Sequence, residues 1–584
     1  MFRSILSGMR VRERHGNRCV KGRPLHVRPW RVLAAAAFFI APTFTASAVA
    51  QDTLFTVHGQ RGDQAGWIVD GGADADGDGY ADFVMGTNCA THGPHSNGSL
   101  SLYSGRTGLL IHQWNGTLAT ECLGYAAAFA GDVDADGFAD VIAGSCHDPT
   151  AGLFAGSATV YSGATGGILY KKYGSGPAQD FGLSVSTARD TDDDGYSDFA
   201  VGAPGHPAST SYAGSAHIYS GASGAEIRTY TGASPYEFFG WYVNSVGDMD
   251  GDGRPELAVG APFKDAGLLV DAGMVRVYSG ASGAVLQEHY GSASDQWLGI
   301  SVASAGDVNG DAYTDLVAGA TQGWTGLEGI ARVYSGLSAT VIHELHGAEP
   351  ADGFGISVDS ASDVDLDGRG DFVVGAWNAS VAGLGAGRVR VFSGASGLAL
   401  LTWDGAAPGD RLGASVASGG DVNDDGASDL VLGADRSDVG GEASGSVRVV
   451  STKPLALTGE PHWLSLGSGG QQILALKAGP THGGALHFLL MSEAGTQPGI
   501  PVGSVTLPLN AGLILSYSAS APNQPPLAGS LGTLSGLGKA SATFTLPAGT
   551  DPALAGLGLD LAYLLLEGGT ITLASNPVPL ALLP

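Results

Sequence analysis

Seven Asp-rich loops of the form D-x-[DN]-x-D-[GA]-x-x-[DE] recur in this 584-residue chain, beginning at Asp74, Asp132, Asp190, Asp248, Asp307, Asp363 and Asp421. The intervals are 58, 58, 58, 59, 56 and 58 residues. Self-similarity at such a period defines a repeat architecture, in which each unit buries its apolar face only against its neighbours. The register of the loops therefore constrains the fold before any single residue is considered.

Each loop alternates oxygen-bearing side chains so that they aim at one point. The candidate metal ligands are Asp74, Asp76, Asp78 and Asp82 (loop 1, 74–82); Asp132, Asp134, Asp136 and Asp140 (loop 2, 132–140); Asp190, Asp192, Asp194 and Asp198 (loop 3, 190–198); Asp248, Asp250, Asp252 and Glu256 (loop 4, 248–256); Asp307, Asn309, Asp311 and Asp315 (loop 5, 307–315); Asp363, Asp365, Asp367 and Asp371 (loop 6, 363–371); and Asp421, Asn423, Asp425 and Asp429 (loop 7, 421–429). A hard dication such as Ca²⁺ takes roughly six to eight oxygens, which positions 1, 3, 5 and 9 and the carbonyl of position 7 can supply. EF-hands open the same way but close with a bidentate Glu at position 12 between helices. Here position 12 is Met85, Ala143, Val201, Val259, Ala318, Val374 or Leu432, so the EF-hand is excluded. Each loop runs instead into a short apolar segment such as Asp198-Phe199-Ala200-Val201, which reads as a buried strand.

The copies differ. Asn309 and Asn423 replace carboxylates, Ala312 stands where the turn glycine belongs, and Glu256 replaces the last Asp. Of up to seven Ca²⁺ sites, loop 5 is expected to bind most weakly, having lost both a charge and the easy turn. Asp, Asn and Gly also make good turns without any metal; seven copies in register favour the metal.

Lys and Arg number 28 against 56 Asp and Glu. Nine of the basic residues and only Glu13 among the acids lie in residues 1–50, which leaves 19 against 55 beyond, a net charge of −36. Acidity concentrated in the loops is a metal-site signature, and it argues against nucleic acid, which selects basic surfaces. Residues 1–50 combine a basic stretch to Arg31, an apolar run Val32 to Ile40 and Ala48-Val49-Ala50, the pattern of a secretory signal peptide cleaved after Ala50. The chain is then expected to be secreted or at the cell surface, with periplasm as an option, and to carry no transmembrane segment after cleavage. Cys89, Cys122 and Cys146 would lie near one edge of adjoining units in a compartment that permits a disulfide, with the pairing undetermined. His147, His92, His95 and His206 fall in equivalent loops but lack Zn-type spacing.

Each repeat offers four short strands between glycine-rich turns; in the fourth these are an entry at Phe239-Gly240, Leu257 to Pro262, Val275 to Gly280 and Val285 to Tyr290. That plan suits a propeller blade with an inserted metal loop. The last repeat stops after its third strand, Ser446 to Val450, whereas Leu54 to Gly59 resembles a fourth strand ahead of the first loop. This N-terminal strand is expected to complete the seventh blade and remove an exposed edge.

Phe181-Gly182 with Gly202-Ala203-Pro204, and Phe239-Gly240 with Gly260-Ala261-Pro262, resemble the FG-GAP repeat of the integrin α-subunit N-terminal propeller and of many secreted bacterial proteins. The other copies keep the glycines and vary the outer positions, as in Leu298-Gly299 and Gly375-Ala376-Trp377. The resemblance covers roughly residues 53 to 451 and implies an all-β, seven-bladed β-propeller; the integrin propeller carries calcium in only some blades, whereas here all seven loops qualify in whole or part. Nothing resembles an inserted I domain or the integrin leg. Arg61-Gly62-Asp63 falls in the turn before the first blade and reads as a scaffold turn.

The expected organisation is a signal peptide (1–50), a propeller (51–452) and a smaller all-β, sandwich-like domain (453–584) built on runs such as Gln472 to Leu476, Ala540 to Thr545 and Thr570 to Leu573. Loops joining strands one and two occupy one face, so loops joining strands two and three occupy the other. Phe154, Tyr212, Trp324 and Trp377 lie in that second set and are candidate contacts for an extracellular protein or glycan; packing between blades is their alternative role. The favoured function is a calcium-binding adhesion or binding module, ahead of a coat or matrix component. A polysaccharide-processing enzyme ranks last, because no Ser-His-Asp arrangement is recognisable and nearly half the carboxylates sit in the loops.

Overall fold

The computed structural model describes residues 53–584 apart from 88–96, 119, 207–210, 323–327, 366, 454–456, 461–462, 478–483, 495, 497–499, 503–504, 508, 512, 521, 536–538, 568–569 and 576–577. The signal-peptide segment, Cys89, His92, His95 and Trp324 therefore lie outside the described residues.

Among the described residues, the repeats form seven four-stranded antiparallel sheets. Blade 1 runs Ala65–Ala73, Asp82–Thr87, Ser99–Tyr103 and Leu110–Asn115 from the axis outward. Second strands such as Asp198–Ala203 and Asp371–Ala376 are buried along their whole length. They lie between the neighbouring sheets on both faces, which is why their sequence is a continuous apolar run rather than an alternation. Fourth strands such as Glu226–Thr231 mix exposed and half-buried positions at the rim.

The ring closes as the ends of the sequence suggest. Thr53–His58 pairs antiparallel with Ser446–Val450, placing Thr56 opposite Arg448 and His58 opposite Ser446, and becomes the outer strand of blade 7. Leu54 and Phe55 sink into a cluster that joins Val69, Phe83 and Met85 of blade 1 to Val431, Val447 and Val449 of blade 7. Similar clusters bridge other neighbours; Ile142 and Val160 of blade 2, for example, meet Phe181, Phe199 and Val201 of blade 3.

The two glycine signatures are the two halves of one contact between blades. A Cβ on Gly202 would overlap the carbonyl oxygen of Gly240 in the next blade. The same relation holds for Gly86 with Gly124, Gly144 with Gly182, Gly260 with Gly299, Gly319 with Gly355, Gly375 with Gly413, and Gly433 with Gly66. Backbone approach this close leaves no room for a side chain, so the glycines persist where the flanking Phe and Pro do not.

Around the axis, Asp70, Ala128, Ser186, Asn244, Ala303, Asp359 and Ala417 hold the same register position on the innermost strands. The polar members stitch blade to blade. Asp70 accepts from Phe129 N (2.8 Å), Ser186 Oγ donates to Asn244 Oδ1 (3.1 Å), Asn244 Nδ2 donates to Val302 O (3.2 Å), and Asp359 accepts from Ser418 N (2.9 Å).

Beyond the propeller, a four-stranded sheet containing Gly470–Lys477 and Lys539–Leu546 faces a second sheet containing Leu486–Ser492, Gly558–Glu567 and Val578–Leu583. Leu474, Leu476 and Phe544 of the first share a core with Leu489, Met491, Leu561, Tyr563 and Leu580 of the second. The short helix Leu513–Ser520, which the sequence reading did not anticipate, packs beside Leu486–Ser492. Cys122 is in a disulfide, and Cys146 is a buried free thiol.

Candidate metal centres and the opposite face

All seven Asp-rich loops connect the first and second strands of their blades and share one hydrogen-bond scheme, except that the last carboxylate of loop 7, Asp429, takes Val422 N and the Asn423 amide. The first carboxylate caps its own loop: Asp132 accepts from Asp136 N (3.1 Å) and Gly137 N (3.0 Å), and Asp363 from Asp367 N (3.0 Å) and Gly368 N (2.8 Å). The fifth accepts from the backbone of position 7, as in Phe138 N to Asp136 Oδ1 (2.9 Å) and Arg369 N to Asp367 Oδ1 (3.0 Å). The ninth turns inward and is buried; Asp198 takes Thr191 N (2.8 Å) on one oxygen and Gly221 N (2.9 Å), in the turn after the third strand, on the other. It thereby ties the loop to its own blade.

Among the described residues, five loops bring three or more carboxylates within 4.8 Å of one another: Asp248, Asp250, Asp252 and Glu256; Asp74, Asp76 and Asp78; Asp132, Asp134 and Asp136; Asp190, Asp192 and Asp194; and Asp363, Asp365 and Asp371. These groups fit a metal ion. Like charges so close are unfavourable without a counter-charge, and burial adds to the cost. Burial pushes Asp82 up to about 8, Asp140 and Glu256 to about 7, and Asp198, Asp315 and Asp371 to about 6; backbone N–H donors oppose it and neighbouring loop carboxylates reinforce it. The donor set is all oxygen, which suits a hard dication rather than a soft metal.

Loops 5 and 7 are built differently. Asn309 points its amide nitrogen at Asp315 (3.4 Å), and Asn423 points its own at both oxygens of Asp429 (3.2 and 3.0 Å). Turning either amide by 180° presents its oxygen instead. Ala312 holds the position-6 turn at φ +71, where the other loops use glycine, so loop 5 carries backbone strain of about 1 kcal/mol.

Sequence reasoning missed position 7. Its side chain reaches the preceding loop: Phe138 covers Gly77, Tyr313 covers Gly251, Arg254 bonds Thr191 O (2.7 Å) and pairs with Asp193, and Arg369 lies against Gly310. The signal was available, because position 7 is aromatic or Arg in every loop but the last, where it is Ala427.

On the opposite face, loops joining second and third strands and loops between blades expose large apolar side chains. Leu268 is 98% exposed, Leu384 78% and Val439 71%, with Leu153, Phe154, Tyr212, Tyr236 and Val270 also exposed. An aromatic ladder runs across blades 3 to 5, from Tyr236 to Tyr212 (5.9 Å between ring centres), Phe238 (5.5 Å), Phe263 (5.3 Å) and Trp297 (5.2 Å). Of the aromatic residues singled out from sequence, Phe154 packs on His147 while staying exposed, and Tyr212 joins the ladder. Trp377 is half-buried beneath the Arg411 guanidinium at 4.6 Å, a packing role. Arg61-Gly62-Asp63 is a turn in which Asp63 accepts from Gln60 N (2.7 Å) and Arg61 pairs with Glu442 of blade 7 (2.7 Å).

The FG-GAP repeat family matches residues 181–219, 240–278 and 298–327, three successive units of the ring just described. The chain carries FG-GAP repeats and is similar there to integrin α-subunits. Integrin alpha-5 of Xenopus laevis is 32% identical over 213 residues, covering 34% of this chain and 20% of that protein. Integrin alpha-V of Gallus gallus is 30% identical with the same coverage, and integrin alpha-8 of Mus musculus is 33% identical over 181 residues, 28% of this chain and 16% of its own. The matches thus span a fifth or less of these relatives. Among the described residues, no helix is long and apolar enough to cross a membrane.

Proposed function

We propose that this FG-GAP propeller is an exported binding or adhesion module that uses Ca²⁺ to fix one face and recognises an extracellular protein or glycan with the other. The observation that carries the reading is the set of exposed apolar and aromatic side chains, from Leu153 round to Val439, on the face opposite the Asp-rich loops. Such exposure costs solubility and is retained where it meets a partner. The likeness to integrin α-subunits supports the same class of function.

Calcium would be held by positions 1, 3, 5 and 9 of each loop, with Asp248, Asp250, Asp252 and Glu256 the most complete group. The ion supplies the positive charge that the clustered carboxylates lack, and so holds the loops between first and second strands rigid. The basic and apolar pattern of residues 1–50 supports export to a calcium-rich compartment.

An array of glycans and cell-surface proteins, probed with residues 51–584 in calcium, tests recognition. Binding to a defined partner should weaken about tenfold in Tyr236→Ala and in Leu268→Ser, the loss typical of a central contact residue. Binding unaffected by both substitutions would place recognition elsewhere.

A further inference from the structure

Among the described residues, the C-terminal region meets the Asp-loop face at one sector, between loops 1 and 7. Thr496 is buried there, and its Oγ1 lies 2.6 Å from Asp424 Oδ2, at position 4 of loop 7, and 3.2 Å from the Tyr80 hydroxyl, at position 7 of loop 1. A hydroxyl has one proton, so Thr496 donates to the carboxylate and Tyr80 donates to Thr496. Alongside, Arg106 donates to both oxygens of the buried Asp560 (2.8 and 2.9 Å) with its guanidinium over the Tyr80 ring at 4.9 Å. The Tyr80 to Asp424 link is thus the loop 1 to loop 7 member of the position-7 series, with a C-terminal residue inserted into it.

Each contact is one step from the loop 1 oxygens. Tyr80 donates its backbone N–H to Asp78 Oδ1 (3.0 Å), so its backbone belongs to the metal loop and its side chain to the junction. Gly105, the neighbour of Arg106, donates to Asp82 Oδ1 (2.8 Å). The Arg106 charge also acts on Asp76 and Asp78 as well as on Asp560.

We propose that dication occupancy of loop 1 and docking of the C-terminal region are linked, with Arg106, Tyr80, Thr496 and Asp560 forming a cation-dependent clasp. This rests on the calcium reading above. With the ion bound, Asp76 and Asp78 are neutralised and Arg106 serves Asp560 alone. Without it, three carboxylates compete for one guanidinium, Tyr80 loses its fixed backbone, and Asp560 is left buried with a shared counter-charge, which is costly. Linkage is reciprocal, so undocking weakens the ion in turn.

Hydrogen exchange of residues 51–584 in calcium and in EGTA tests the clasp, with the second strands of blades 3 and 4 as the control that the ring stays folded. On chelation, peptides over 74–82 and peptides over 486–496 and 558–566 should all exchange about tenfold faster, within the range of such couplings. Asp560→Asn or Thr496→Val should expose the C-terminal peptides in calcium already, whereas Asp132→Asn in loop 2 should leave them protected. If the loop peptides respond to EGTA and the C-terminal peptides do not, the clasp is overturned while the calcium reading stands. If neither responds, both fall.

Discussion

Asp70 and Asp359 belong to the polar ring at the propeller axis, where both are half-buried among the seven blades. Burial pushes Asp359 up to about 6 and Asp70 to about 7, the charge of Asp359 adding to the second. Both folded values lie above the unfolded one, so the stabilisation they give is complete below about pH 4 and is lost as pH rises through 6 and 7. Asp70→Asn keeps an acceptor for Phe129 N without the charge. It should melt above the parent at pH 8 by an amount worth about 2 kcal/mol, with the gap closing towards about pH 4. A gap that does not vary with pH would refute the assignment. The buried ninth carboxylates behave oppositely to truncation. Asp198→Ala leaves Thr191 N and Gly221 N unpaired, at an expected cost of about 3 kcal/mol in urea denaturation, whereas Asp198→Asn should recover part of it. Alternation of Asp in the loops was legible in the sequence. The inward turn of the ninth residue was not, because its partner, Gly221, lies 23 residues on and meets it only in the folded blade.

At the scale of elements, the strand Thr53–His58 and the glycine contacts decide whether the ring closes. Deleting residues 51–58 uncovers Ser446–Val450 as an unpaired edge and removes Leu54 and Phe55 from their cluster. The truncated protein should lose several degrees in Tm and associate through that edge, which size-exclusion chromatography would detect. Gly202→Ala forces blades 3 and 4 apart at the Gly240 carbonyl and should cost about 3 kcal/mol, more than an alanine at an ordinary strand glycine. The seven-blade count, the strand order and the closing strand could all be read from the repeat, because each blade's pattern is local and repeats in register. The pairing of Gly202 with Gly240 could not, since sequence shows two signatures and not that they touch. The helix Leu513–Ser520 was missed because it lies in a Leu-, Ser- and Ala-rich stretch whose pattern does not separate helix from strand.

For the whole molecule, the sum of the loops is what matters. Each site held at about 100 times its dissociation constant adds about 2.7 kcal/mol, so chelation should lower the Tm of the ring steeply; an unchanged melt in EGTA would remove the metal from the account. By itself, the sequence determined the repeat, its closure, the Asp-rich loops as candidate metal centres and the FG-GAP resemblance, because period, strand pattern and motif are carried by residues close along the chain. Only the tertiary structure decided what joins distant repeats: the glycine contacts between blades, the carboxylates gathered at the axis, the aromatic ladder from Tyr236 to Trp297, and the seat of Thr496 and Asp560 beside loops 1 and 7. Those depend on backbone placement across tens to hundreds of residues, which ring closure sets and no local pattern encodes.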